Sequence, residues 1–165
     1  MTILQTFCQW IYDWPFSTAL RESDDAFPFV ETAHVLAIGL AAGSIVIVDL
    51  RLIGLIFRKE PATRIVEALL PWTWRGFALM LVTGLPLFAA EAVDLYKNPA
   101  FRLKLVLLGL AGLNALAFHV TTYRRARAWA PAGVPFAARA FAGMSIFLWS
   151  AVIVSGRLIA VFHVH

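Results

Sequence analysis

The stretch VETAHVLAIGLAAGSIVIVDLRLIG, residues 30–54, decides the fold. No ionisable residue lies between His34 and Asp49. A helix rises ~1.5 Å per residue, so ~20 residues cross ~30 Å of hydrocarbon. The stretch is therefore long and apolar enough to span a bilayer. Three more segments of the same kind follow, at about 73–95, 101–122 and 139–162.

Composition agrees with this reading. Of 165 residues 61% are hydrophobic and 15% charged, against about 25% charged in a soluble domain. A water-soluble fold of this size could not hide so much apolar surface. The expectation is an all-α polytopic membrane protein, a four-transmembrane-helix bundle occupying residues 27–165 behind an N-terminal segment, residues 1–26.

Within that segment, residues 2–14 place Ile3, Leu4, Phe7, Ile11 and Trp14 on one helical face, and Pro15 ends the pattern. This reads as an interfacial amphipathic helix or as a helix packed against the bundle. Gln5, Gln9 and Asp13 interrupt the apolar run that a signal peptide needs, so the first span itself is expected to direct insertion. Arg58 to Leu70 reads as an amphipathic connection, Lys97-Asn98-Pro99 as a tight turn and Arg124 to Pro135 as a basic loop.

Charge orients the bundle. Nine Lys and Arg residues fall on the side of the second and fourth connections, namely Arg51, Arg58, Lys59, Arg64, Arg75, Arg124, Arg125, Arg127 and Arg139. Five fall opposite, namely Arg21, Lys97, Arg102, Lys104 and Arg157. Basic connections stay in the cytoplasm, which puts both termini on the non-cytoplasmic side. The basic residues are topological signals beside apolar runs, and no nucleic acid partner is expected.

Cys8 is the single cysteine, so an internal disulfide, a thiolate cluster and a c-type haem attachment are excluded. No serine–histidine–acid or phosphate-cradling motif is present. Most tryptophans fall where an aromatic belt belongs; Trp149 lies mid-span and either faces lipid or finds a partner inside the bundle. Gly39, Gly43, Gly84, Gly109, Gly112 and Gly143 mark candidate close approaches. Gly39 and Gly43 suit internal packing, with a homodimer seam as the alternative. Pro86 should kink the second span.

Ionisable groups at membrane depth are candidates for function. They form two layers. The outer layer holds Glu31, His34, Glu91, Asp94, Lys104 and Arg157; the cytoplasmic layer holds Asp49, Arg51, Arg75 and His119. Lys104, Leu108, Ala111, Ala115 and His119 share one stripe of the third span, expected to face inward. Asn114 is expected to join helices. The outer layer reads as a cofactor site, with His34 its best ligand because neutral imidazole binds haem iron and copper. The carboxylate and guanidinium residues read first as ion pairs, Glu91 with Arg157 outside and Asp49 with Arg75 inside, and His34 reads either as a ligand or as a histidine bonded to a carbonyl or water. His34 and His119 lie roughly 20 Å apart along the normal, too far for one haem. His163 and Lys104 are nearer in depth to His34, and terminal His165 should be solvated.

The strings His34-Val-Leu-Ala-Ile-Gly-Leu-Ala-Ala-Gly-Ser, Asp49-Leu-Arg51-Leu-Ile-Gly, Thr83-Gly-Leu-Pro-Leu-Phe, Phe101-Arg-Leu-Lys104 through Asn114 to His119, and Ser155-Gly-Arg157 together carry a resemblance. Over residues 27–162 the chain resembles an uncharacterised family of small four-helix bacterial inner-membrane proteins. More distantly it is similar to copper-resistance protein D and to the membrane protoporphyrinogen oxidase of the HemJ type. That distant resemblance implies a haem- or copper-associated redox protein, with His34 matching the first-span histidine and Lys104 the lysine of a later span.

The expectation for function is thus a haem b-binding or redox-associated inner-membrane protein, with a site near the non-cytoplasmic surface. His34, Lys104, Arg157 and His163 are its candidate cofactor residues, with His34 and His163 as metal ligands and copper as the lesser metal. Its partners would be the lipid bilayer and a membrane or periplasmic redox protein. A cofactor-free accessory subunit of a larger complex is the first rival, and a small metal-ion permease the second. Whether the chain catalyses a reaction is not readable from these residues.

Overall fold

The computed structural model describes residues 3–129 and 133–161, the side chains of Arg127 and Ala128 excepted. Among the described residues every regular element is helical. Two short helices, α1 (Ile3–Tyr12) and α2 (Pro15–Arg21), precede α3 (Ala26–Ile53) and α4 (Ala62–Ala90). A six-residue α5 (Ala92–Lys97) leads to α6 (Pro99–Ala117), which widens into a π turn (Phe118–Thr122) and then tightens into a 3-10 stretch (Tyr123–Trp129). Helix α7 (Phe136–Val161) completes the bundle. Four helical stretches, 26–53, 62–90, 99–126 and 136–161, are long and apolar enough to cross a membrane.

The second of these differs from expectation. Residues 62–70, read as a separate connection, are the first turns of a 29-residue α4 that runs through Pro71 and Pro86. It ends at Ala90 rather than near residue 95, and Glu91 and Asp94 follow in the break and in α5. Proline forfeits one helical hydrogen bond but does not end a helix already held by its neighbour.

Lipid-filled surroundings give helices no hydrophobic reason to associate, so contact depends on close approach of small side chains. The seams are built of alanine: Ala37, Ala41 and Ala42 on α3, and Ala138 and Ala142 on α7, are all buried. Leucines at 79, 81, 85, 103, 105, 113 and 116 stay exposed, as lipid-facing side chains should. The helices are joined as α4 on α3, α3 on α7 and α7 on α6, while α4 and α6 meet through the stacked rings of Phe88 and Phe101, 5.7 Å apart. Trp149 is buried, its ring 5.6 Å from that of Phe77 on α4. Asn114 donates to the Phe141 carbonyl of α7 at 3.1 Å, joining helices as expected.

The ends are tied by specific polar contacts. Gly54, with φ of 91°, closes α3 in a Schellman arrangement, its N–H and that of Leu55 bonding back to the Leu50 carbonyl. Arg21 donates to the Ala90 carbonyl at 3.1 Å and covers the Tyr12 ring, clamping α1 and α2 to the end of α4. The apolar side chains Ile3, Leu4, Phe7 and Trp10 of α1 remain exposed, whereas buried Cys8 lines a small cavity against Val93 and Tyr96 of α5. Helix α1 thus packs on α5 and leaves an apolar face exposed.

Buried Asn98 does two things. Its Oδ1 accepts from the N–H groups of Ala100 and Phe101, and its Nδ2 donates to the Ile159 carbonyl of α7 at 3.0 Å. Asn98→Ala is expected to cost about 2 kcal/mol, roughly half from the cap and half from the stranded carbonyl. Asn98→Asp keeps the acceptor and should lose only the second part. Equal melting of wild type and Asn98→Ala in detergent would show that this junction carries no stability.

Candidate functional site at the outer polar layer

Three helices meet around His34. The residue is half-buried on α3, facing α4. Its Nδ1 lies 2.9 Å from the Thr83 hydroxyl, and that hydroxyl donates to the Leu79 carbonyl at 2.6 Å. A hydroxyl has one proton. When that proton goes to Leu79, Thr83 accepts from His34 Nδ1–H and Nε2 keeps its lone pair. This is the tautomer in which a second residue orients an imidazole for ligation. The ring is also hydrogen-bonded to the Met80 backbone.

Glycine makes room for the ring. A Cβ on Gly84 would stand 2.9 Å from His34 Cε1, closer than real contacts allow. Across the layer Lys104 of α6 lies against Gly156 of α7, its Nζ 3.5 Å from where a Cβ would stand. His34 and Lys104 are within electrostatic range of one another. Among the described residues, the half-buried Lys104 ammonium has neither an ion-pair partner nor a hydrogen bond. A cation left so at membrane depth is costly.

Other expected site residues are placed elsewhere. Arg157 is exposed on α7 and makes no ion pair among the described residues; Glu91 is half-buried at the α4–α5 break. His163 and His165 lie outside the described residues. At the opposite end Asp49 is buried and faces Ser145, whereas Arg75 stacks on the Trp72 ring at 4.8 Å, so these two charges do not meet. The stripe of α6 turns outward along its length: Ala111 is buried, but Ala115 and His119 are exposed. Fifteen residues at 100° accumulate a 60° drift, and Phe118 takes the inward position that His119 leaves.

The glycines expected at helix contacts divide sharply. A Cβ on Gly39, Gly43, Gly109, Gly112 or Gly143 would meet nothing within 4 Å, and only Gly84 of that set is in close contact. Gly76, not singled out in the sequence, is the tightest, with backbone atoms of Ala41 2.7 Å from its would-be Cβ.

Fold and layer together define a multi-pass membrane protein with a bundle of four spanning helices and a histidine–lysine pair near one end. Residues 26–162 match the family described as a family of unknown function, DUF6644, and the chain belongs to that family. No curated protein and no solved structure matches the chain.

Proposed function

We propose that the protein is a haem b-binding, redox-associated membrane protein in which His34 supplies an axial imidazole. One arrangement carries this reading: Thr83 holds His34 through Nδ1, which in the Nδ1–H tautomer turns the Nε2 lone pair to a ligand, and the neighbouring Lys104 has no partner among the described residues. Among the described residues no three His, Cys, Asp or Glu side chains gather in one place. A haem, whose macrocycle supplies most of the iron's donors, would need only the His34 imidazole from the protein, and Lys104 would suit a carboxylate of such a cofactor. When bound, haem would supply one-electron chemistry; the chain's own residues orient the imidazole, attract an anionic group and exclude water. The loose similarity to copper-resistance protein D and the HemJ-type oxidase, through His34 and Lys104, points the same way. The excess of Lys and Arg at the opposite end supports a bacterial inner-membrane placement with the site on the non-cytoplasmic side.

The test is the absorption spectrum of protein extracted gently from membranes. A Soret band that shifts on dithionite reduction is expected. Its absence, even after reconstitution with hemin, would sink the proposal.

A second reading has its own observation. Gly39 and Gly43 are exposed on α3, facing away from the protein's own helices, as a seam for another transmembrane helix would be. An accessory subunit would use it so. Disulfide crosslinking of Gly43→Cys in native membranes should then trap a partner or a second copy, and an uncrosslinked monomer would count against this reading.

A further inference from the structure

At the end of the bundle opposite His34 lies an open cavity of about 700 Å³ that the outer layer does not explain. Its walls come from the α3–α4 connection, the 3-10 stretch after α6 and the start of α7. Four cations line it: Arg51, Arg58, Lys59 and Arg139. The sole carboxylate among its lining residues, Glu60, is held by Arg64 at 2.7 Å, and Arg64 is not a lining residue. The cavity is thus strongly electropositive.

Two further features add to this. Ala62 and Thr63, which line the cavity, open α4, and no side chain caps that helix or places an acid in its first turn. Its free N–H groups and positive dipole end add to the field. The connection is also built to hold its charges in place. Arg51 donates through Nε and Nη2 to the Glu60 carbonyl, and Arg58 Nε donates to the Gly54 carbonyl. Phe57 takes a positive φ of 48°, a conformation a bulky side chain rarely adopts. The remaining wall is apolar, with Leu52, Ile53, Val134 and Trp129. Leu55 and Phe57 of the same connection project outward, exposed.

We propose that this cavity binds a phosphate-bearing anion, specifically the headgroup of an anionic phospholipid. Guanidinium and ammonium groups with free helix N–H groups are what a phosphate oxygen seeks. A lipid is favoured over a soluble phosphate compound because the cavity joins cationic and apolar walls at the level where the spans end, beside outward-facing Leu55 and Phe57. Basic pockets between transmembrane helices at a membrane surface have this character.

The experiment is native mass spectrometry of the full-length protein in detergent, titrated with phosphatidylglycerol, with phosphatidylcholine, and with inorganic pyrophosphate. Phosphatidylglycerol is expected to bind well above phosphatidylcholine. The triple variant Arg58→Gln, Lys59→Gln, Arg139→Gln should weaken its binding roughly 100-fold, from about 1 kcal/mol for each cation near the surface. Arg51 is left in place because it holds the connection. His34→Ala should bind the lipid as wild type does. Equal retention of the two lipids, or undiminished phosphatidylglycerol binding by a triple variant with wild-type helicity, overturns the proposal. Displacement of the lipid by micromolar pyrophosphate overturns the choice of lipid and assigns the cavity to a soluble phosphate compound. If the triple variant misfolds, Arg139→Gln alone, which leaves the connection intact, should still cost several-fold in affinity, and no change there would equally overturn it.

Discussion

Gly76→Val is expected to destabilise the bundle by about 3 kcal/mol or more, the upper end of what overpacking costs, and to lower its melting temperature in detergent by roughly 10 °C. The reason is geometric. A Cβ at position 76 would stand 2.7 Å from the backbone nitrogen of Ala41 and 2.8 Å from its Cα and Cβ. Backbone atoms cannot rotate aside as a long side chain can, so α3 and α4 would have to separate along their shared seam. That seam sets Gly76 against Ala41 and Gly84 against His34, and in lipid such close contact is the main source of association. Gly39→Val is the control, because a Cβ there meets nothing within 4 Å, and it should change stability by no more than about 0.5 kcal/mol. Equal melting of the two variants would mean that the α3–α4 seam is not where the helices press closest.

The contrast between Gly76 and Gly39 also shows where sequence reading stops. Hydropathy makes the four spans plain because twenty apolar residues have few other uses. It says little about which face of each span turns inward, since in lipid both faces are apolar. The Gly39-x-x-x-Gly43 spacing stood out in the chain yet faces away from the bundle, while Gly76, alone between Arg75 and Phe77, has no pattern to flag it. The start of α4 was obscured likewise. Arg58 to Leu70 reads as an amphipathic connection because its charges break the apolar run, but from Ala62 onward it is part of the helix that spans the bilayer.

The two polar regions divide along the same line. His34 and Lys104 could be placed at one depth by counting residues from the span ends. That Thr83 receives His34, that Gly84 makes room for its ring and that Lys104 lies against Gly156 depends on helix register across a seam, which no single segment encodes. The basic cavity is the stronger case. Arg51, Arg58 and Lys59 stand close in the chain, but Arg139 is far along it and reaches them only because α7 packs on α3. Counted along the chain these residues speak only of topology; gathered around one space they acquire a possible ligand.

The largest functional effect is expected at His34, and the neighbouring residues give it a signature that a merely structural histidine would not produce. If His34 is an axial ligand, His34→Ala should abolish the Soret band of hemin-reconstituted protein while leaving helicity unchanged. Thr83→Val removes the acceptor that holds Nδ1–H and should weaken haem binding by roughly 10- to 100-fold, the usual cost of losing an outer-shell partner. Gly84→Ala places a methyl 2.9 Å from Cε1, so it should displace the ring and perturb the spectrum without removing the ligand. Lys104→Met separates ligand binding from packing most cleanly. Its ammonium is half-buried without a partner among the described residues, and an unpaired charge at membrane depth costs about 2.5 kcal/mol or more at the centre and less near the surface. Removing it should therefore raise the melting temperature of the cofactor-free protein while lowering its affinity for haem. A packing role predicts the reverse for stability and nothing for the spectrum. Should Lys104→Met melt lower than wild type and bind hemin equally well, the lysine is a strut and the outer layer is no cofactor site.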